Sequence, residues 1–261
     1  MRVALVVAVM SLMACRSSST VDAGPPRKPM PKLEPLEQVN GAASADASID
    51  AREAIFRVVP LEVVGPEAPE KAVRLDLDGE SVKQGGAPFD LKTVKQDDDV
   101  ILVPIGETYL VQIAPVLAAL DDVGADVFLQ HPEQPIAWPI DLRDEAVFQS
   151  WIDDPEPGKV RVVQRADGFE LQTNLGKLPG KDPNGPTVPV RGGQLDLKTL
   201  QRGLEKVSGF FKTKDVCFVP SFGMEVAQVS RAFASNWKSA DVAWFPTQCL
   251  VYPRPRARPT P

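Results

Sequence analysis

The chain has 261 residues, and its 35 acidic against 29 basic side chains leave a net charge of −6. This mildly acidic balance argues against a nucleic-acid partner, because proteins that bind nucleic acid carry a basic surface. Behind an N-terminal targeting segment and a polar linker, roughly 200 residues remain, which is enough for one large or two small domains with hydrophobic cores.

The N-terminus combines a basic residue, Arg2, with a short apolar stretch, Val3–Met13, and ends in the sequence LMAC at Cys15. The apolar stretch is too short to span a bilayer, which takes about 20 residues, but it suits a secretory signal. LMAC resembles the lipobox of bacterial lipoproteins. The resemblance implies that 1–14 is a signal peptide cleaved after Ala14, and that Cys15 carries diacylglycerol on its thiol and an acyl chain such as palmitate on its amine. The alternatives are an ordinary signal peptide or a buried N-terminal strand.

The segment after Cys15 begins with Arg16, whereas the lipoprotein pattern for inner-membrane retention has Asp at that place. The resemblance therefore favours an outer-membrane anchor with the protein facing the periplasm. Up to Ala51 the chain is rich in Ser, Ala and Pro and cannot bury enough apolar surface to order itself. We predict that 15–51 is the lipidated cysteine followed by a disordered tether, with a reach between roughly 30 Å and roughly 110 Å.

Two nearly identical pentapeptides, FDLKT at Phe89–Thr93 and LDLKT at Leu195–Thr199, raise the question of an internal repeat. Alternating apolar and polar residues precede each pentapeptide, around Asp78-Gly79 in the first case and Asp167-Gly168 in the second. Alternation around an Asp-Gly pair is typical of a β-hairpin. Each copy is therefore expected to open with a hairpin.

The residues after each pentapeptide align better. Val100–Gln130 lies against Val216–Pro246, and each segment is predicted to be a strand, an amphipathic helix and a second strand. The matched positions are Val103-Pro104 with Val219-Pro220, Gln112 with Gln228, and Asp126-Val127 with Asp241-Val242. In the second helix an apolar stripe predicts core packing, formed by Val226, Val229, Phe233 and Trp237. Pro115 predicts that the first helix either kinks or begins later than Thr108.

The element order of each copy is hairpin, helix, strand, helix, strand. We predict an α+β fold of two tandem two-layer sandwich modules, because helices on one face of a small mixed sheet form that architecture. The modules are expected at 52–135 and 159–252, with a linker carrying a short helix at 136–158 and a basic Pro/Arg tail at 253–261.

The first copy resembles the periplasmic domain of the ExbD/TolR biopolymer-transport family. The resemblance runs from Val58–Gly79 through the strand VILVP to a helix led by Tyr109 and ending at Gly124. It implies a soluble domain that dimerises and binds peptidoglycan or partner proteins. The family's acidic residue after the third strand is missing, since Ile105-Gly106 and Ser221-Phe222 stand there, and a lipobox replaces its transmembrane helix. No ion-coupling residue is therefore transferred to this chain.

The residues offer little for catalysis. The one histidine, His131, cannot build a multi-histidine zinc site and is expected to be a surface or capping residue. Three acidic clusters fall at predicted element boundaries, where aspartate is typical of turns and caps, although a calcium or acid–base site is the alternative: Asp97–Asp99, Asp121-Asp122 and Asp153-Asp154. We predict no catalytic residue, no metal and no cofactor.

Cys217 and Cys249 either form a disulfide, as an exported protein permits, or remain two buried thiols. Arg254, Arg256 and Arg258 of the tail could contact an anionic surface, or be solvated. The sequence thus predicts a non-catalytic, lipid-anchored envelope protein that binds peptidoglycan or a protein of a transport and energy-transduction complex. The alternatives are a structural scaffold for other envelope proteins and, third, an envelope hydrolase. A homodimer is compatible with all three.

Overall fold

The computed structural model describes residues 59–155, 159–211 and 214–255, which belong to one compact unit. The predicted signal peptide, Cys15 and the tether lie outside the described residues, as do Arg256 and Arg258. The helices of the described part are α1 (Leu110–Val123), α2 (Glu145–Asp153), α3 (Leu197–Phe211) and α4 (Val226–Phe233). Its strands are β1 (Val73–Asp78), β2 (Ser81–Gln84), β3 (Ala87–Pro88), β4 (Asp99–Ile105), β5 (Asp126–Gln130), β6 (Ala137–Asp144), β7 (Val160–Arg165), β8 (Gly168–Thr173), β9 (Gly176–Lys177), β10 (Val188–Pro189), β11 (Asp215–Pro220), β12 (Trp237–Ser239), β13 (Val242–Ala243) and β14 (Thr247–Tyr252).

A single mixed sheet runs through the molecule in the order β10-β8-β7-β11-β14-β6-β5-β4-β1-β2-β3, with β9 paired to β8. The strands β1, β4 and β5 are parallel to one another, and so are β7, β11 and β14. The order is palindromic about β6, which is antiparallel to β5 and parallel to β14. The two halves therefore run in opposite directions, and an approximate two-fold axis passes through β6. The general α+β class is confirmed, but one sheet joins both halves.

The segment 136–158, expected to be a linker, supplies the central strand β6 as well as the short helix α2. Trp138, Ile140 and Leu142 alternate along β6 and are buried in the main core. The alternation is the ordinary signal of a strand with one buried face. The indole N–H of Trp138 donates to the carbonyl of Val64 at 3.3 Å, which holds the chain before β1 against the centre of the sheet.

The hydrophobic core lies mainly on one face of the sheet, under α1, α3 and α4. Val226, Val229 and Phe233 of the predicted α4 stripe are buried there, which confirms their assignment to core packing. A smaller cluster on the opposite face packs Phe148 and Trp151 of α2 against a second set of buried residues, Cys217, Cys249 and Val251. The second half therefore has a third layer that the sequence did not predict.

The predicted hairpins are confirmed as β1–β2 and β7–β8. Helix α1 begins at Leu110, after Thr108, and ends at Val123. Its C-terminal cap is Gly124, whose φ of 72° suits glycine. Pro115 nevertheless lies inside α1. The two pentapeptides, FDLKT and LDLKT, begin different elements. Asp90 caps only a 3-10 turn at Leu91–Thr93, whereas the second pentapeptide leads into the helix α3.

The expected match of Asp126-Val127 with Asp241-Val242 is wrong. Val242 belongs to the two-residue strand β13, which pairs with β12 outside the main sheet. The counterpart of β5 is β14, because both strands lie between β6 and the next parallel strand of their own half. A short hairpin, Trp237–Ala243, thus intervenes between α4 and the strand that α4 leads to.

Cys217 and Cys249 form a disulfide in the structure, as register partners on β11 and β14 with Cα atoms 4.5 Å apart. The bond closes a loop with a sequence separation of 32 residues.

We expect the double variant Cys217→Ala/Cys249→Ala to lose roughly 2–4 kcal/mol of unfolding free energy, because the unfolded chain regains its loop entropy. Urea denaturation of the variant beside the oxidised wild type measures the loss. Equal unfolding midpoints would contradict the prediction.

Candidate functional site

The two halves meet where the chain enters α1 and α4. Tyr109 is the N-terminal cap of α1 and Glu225 is the N-terminal cap of α4. The alignment that matches Gln112 with Gln228 also matches these two residues, and the structure joins them in an antiparallel β-bridge. Residues at the same place in the two halves therefore contact each other directly.

The hydrogen bonds around this bridge are reciprocal. The Leu110 N–H donates to the carbonyl of Met224 at 2.9 Å. The Val226 N–H donates to the carbonyl of Thr108 at 2.8 Å, which is the same bond with the halves exchanged. Such reciprocity is the mark of a two-fold contact between like surfaces, here made within one chain. We call this contact, 108–111 with 222–226, the crossing.

A cleft of about 600 Å³ opens beside the crossing, and its lining residues other than Tyr109 belong to the second half. The turn between β7 and β8, the loop before α3 and the beginning of α4 form its walls. We call it the second-half cleft; it is lined by Tyr109, Arg165, Ala166, Val190, Gly193, Gln194, Leu195, Leu197, Gly223, Met224, Glu225, Gln228 and Arg231.

The strand registers identify what stands at the matching places of the first half. Val73 of β1 is the partner of Val100, and Val160 of β7 is the partner of Val216. Because Val100 and Val216 are aligned, each residue of β7 has a counterpart on β1. The counterparts of Gln164, Arg165 and Ala166 are Leu77, Asp78 and Gly79. Along the helices, those of Met224, Gln228 and Arg231 are Thr108, Gln112 and Pro115.

In the first half these counterparts tie the hairpin turn to the start of α1. Thr108 Oγ1 accepts from the Gly79 N–H at 2.9 Å and lies 3.0 Å from the carbonyl oxygen of Leu77. The side-chain oxygen of Gln112 accepts from the Tyr109 N–H at 2.8 Å. The thioether of Met224 cannot replace the Thr108 hydroxyl in these bonds, because it donates no hydrogen bond and accepts weakly. The second half therefore lacks the tie that closes the first.

A buried amide, that of Gln164, contacts the lining of the second-half cleft through Gln228. Gln164 is 1% exposed, although its counterpart Leu77 is an apolar core residue. Its Nε2 donates to the carbonyl of Gln228 in α4 at 3.5 Å. Its Oε1 is buried and has no hydrogen-bond partner among the described residues. A buried acceptor without a partner is costly, so this side chain is not explained by packing alone.

The charges of the cleft are of both signs. Arg165 binds Asp167 and Glu170 at 3.2 and 2.7 Å, and its side chain is 51% exposed. Arg231 binds Glu133 at 2.5 Å and is 36% exposed. The hydrogen bond from Arg231 is the main reason that the pKa of Glu133 is lowered. Glu225 adds a carboxylate to the same lining.

His131 follows β5, as predicted, and it is 3% exposed, so of the two expected roles the structure excludes the surface one and supports the capping one. Its Nδ1 accepts from the Glu133 N–H at 3.2 Å, and its ring contacts the Trp138 ring edge to face. Burial lowers the pKa of the imidazole, which favours the neutral form. The histidine thus packs against the centre of the sheet and lies outside the lining of the second-half cleft.

The expected turn and cap roles hold for Asp98 and Asp154, whereas Asp121 and Asp122 bind side chains of Tyr252 and Arg254. Asp98 accepts from the Lys95 N–H at 2.7 Å, and Asp121 accepts from the Tyr252 hydroxyl at 2.7 Å. Asp154 is the C-terminal cap of α2. Among the residues that the structure describes, no three metal-binding side chains converge.

Arg254 does not extend toward solvent as a free tail cation. It binds Asp144 at 2.8 Å and also binds Asp122. The backbone N–H of Val147 and the bond from Arg254 lower the pKa of Asp144, whereas burial and Asp121 raise the pKa of Tyr252. Arg254, which was expected to contact an anionic surface, thus binds carboxylates of the protein itself in this structure.

Comparison of the chain with protein-family models, with curated proteins and with solved structures finds no match. In the described part of the chain, no helix combines the length and the hydropathy needed to cross a membrane.

Replacement of Gln164 by its first-half counterpart tests whether this side chain serves packing. We expect Gln164→Leu to raise the free energy of unfolding by about 1–2 kcal/mol, because it removes a buried acceptor that has no partner. The mirror variant Leu77→Gln should lower it by at least as much, since it places an amide in a closed core. Urea denaturation measures both, and a destabilised Gln164→Leu variant would show that the amide is structural.

Proposed function

We propose that this protein is a non-catalytic, lipid-anchored envelope protein whose two halves are tandem modules like the ExbD/TolR periplasmic domain, and that it binds peptidoglycan. The observation that carries the proposal is the crossing, in which Tyr109 meets its own counterpart, Glu225. The family that the sequence resembles uses this domain as a dimer. A single chain that contains both modules can supply the same dimer-like arrangement, so the folded domain does not need a second chain to form it.

The arrangement of the acidic residues also favours binding over hydrolysis. A glycosidase needs two carboxyl groups facing one substrate bond, with separate roles as acid and base. Here Asp121 accepts from Tyr252, and Asp144 caps α2 and binds Arg254. These carboxylates are occupied in holding α1, α2 and the end of β14 together. The second-half cleft presents binding groups instead, namely guanidinium, amide and aliphatic side chains.

In this proposal the lipidated Cys15 anchors the protein, and the following polar segment is a long tether between the anchor and the folded domain. A tether of this composition reaches between roughly 30 Å and roughly 110 Å from the membrane. Two or three acyl chains hold a protein firmly, because each buried methylene contributes about 0.8 kcal/mol. The proposed arrangement therefore lets an outer-membrane protein meet the cell wall without leaving its membrane.

The full-length protein, purified in mild detergent, should sediment with isolated peptidoglycan sacculi. We expect binding to persist at about 0.3 M salt, where interactions between exposed charges are strongly screened. Heat-unfolded protein and a variant without residues 256–261 are the controls for non-specific adhesion and for the basic tail. Failure of the folded protein to sediment would remove peptidoglycan from the proposal, and crosslinking in cells would then seek a protein partner.

Lipid attachment can be tested on the same protein. We expect Cys15→Ser to abolish the incorporation of labelled palmitate and to release the protein from the membrane fraction, because the thiol that accepts the diacylglycerol is gone. The double variant Cys217→Ser/Cys249→Ser should keep its label. Undiminished labelling of Cys15→Ser would contradict a lipobox at this position.

A further inference from the structure

We infer that the second-half cleft binds a short peptide that carries both a free carboxylate and a free ammonium group. The inference rests on the proposed function, because the peptide stems of peptidoglycan belong to this class of ligand. It concerns one site on one half of the molecule, which the proposed function does not specify.

The first argument is charge. A guanidinium group has five N–H donors, and the contacts of Arg165 with Asp167 and Glu170 and of Arg231 with Glu133 engage only some of them. Exposed ion pairs contribute little free energy, so a ligand carboxylate can share these donors at small cost. Glu225 lines the same cleft and can accept from an ammonium group. A ligand with charges of both signs fits this lining better than a simple anion, which the neighbouring carboxylates would repel.

The second argument is the remainder of the lining. Val190, Leu195, Leu197 and Met224 form its apolar part and suit aliphatic side chains such as the methyl group of alanine. The side-chain amides of Gln194 and Gln228 can pair with the peptide groups of a ligand. The volume of about 600 Å³ lies within the usual range for small-ligand sites and admits a peptide of a few residues.

The third argument is the first half, which serves as an internal control. It has Asp78 where the second half has Arg165, and Pro115 where the second half has Arg231. It has Leu77 in place of Gln164, and this amide has a buried oxygen without a partner among the described residues. Two cationic replacements thus line the cleft, and the third, Gln164, contacts the lining residue Gln228. None of the three is needed to form the sheet, since the first half forms the same strands without them.

The test is calorimetric titration of the full-length protein in detergent with a stem tetrapeptide released from sacculi by an amidase. We expect Arg231→Gln and Arg165→Gln each to weaken binding by about tenfold, as the loss of a charge-assisted hydrogen bond does. Amidation of the peptide's carboxylates should weaken wild-type binding by a similar factor. Arg202→Gln, an exposed change on α3 outside the cleft, should bind like the wild type, and thermal unfolding of each variant checks its fold.

The inference is overturned if the wild type does not bind the tetrapeptide, if it binds the amidated form equally well, or if the two cleft variants bind like Arg202→Gln. Tight binding of N-acetylglucosamine oligomers without the peptide would assign the site to sugar and overturn it as well. Sedimentation of the same variants with sacculi separates the two proposals. A wild type that sediments with sacculi, while all cleft variants sediment equally, would retain the wall-binding function and reject this site.

Discussion

The strand β6 is the element on which the rest of the structure depends. Without it, β5 and β14 would each end their half of the sheet with an open edge of unpaired backbone groups, which invites association with other chains. Because β6 pairs antiparallel with β5 and parallel with β14, it satisfies both edges and reverses the direction of one half relative to the other. That reversal is what brings the starts of α1 and α4 face to face, so the crossing and the cleft beside it both follow from the placement of one strand.

The packing around β6 explains why the molecule forms one unit. Trp138 is fully buried at its centre, with its indole bonded to Val64 and in ring contact with His131. A side chain at Gly65 would collide with this indole, so glycine is required there for the chain to pass. On the second-half side, Gln248 donates to the carbonyl of Pro139 in β6 at 2.9 Å. Residues from both halves and from the segment between them thus share one core.

Local patterns predicted most of the elements but not their assembly. Alternation around Asp78-Gly79 predicts the first hairpin correctly, and the sequence from Tyr109 to Gly124 predicts α1, because hairpins and capped helices are specified by neighbouring residues. The same alternation runs through β6, but its position between two apparent modules favours a linker, so the local pattern alone does not identify this strand. The error at Asp241-Val242 has another cause: similar letters concealed an inserted hairpin, and only strand pairing identifies β14 as the counterpart of β5. The cleft could not be foreseen, because it depends on residues from four separate segments and on comparing aligned halves after their registers are known.

Joining the two halves in one chain also accounts for where the cleft lies. In a homodimer every substitution appears twice, so a buried amide without a hydrogen-bond partner would lower the stability of both subunits. In a single chain the halves diverge independently. The first half keeps Thr108 and Leu77, which tie and fill its core, and contributes stability. The second half carries Met224 and Gln164 at the same places. The stability contributed by the first half offsets the buried Gln164 oxygen that has no partner among the described residues. The second-half cleft thus lies where the aligned residues of the two halves differ.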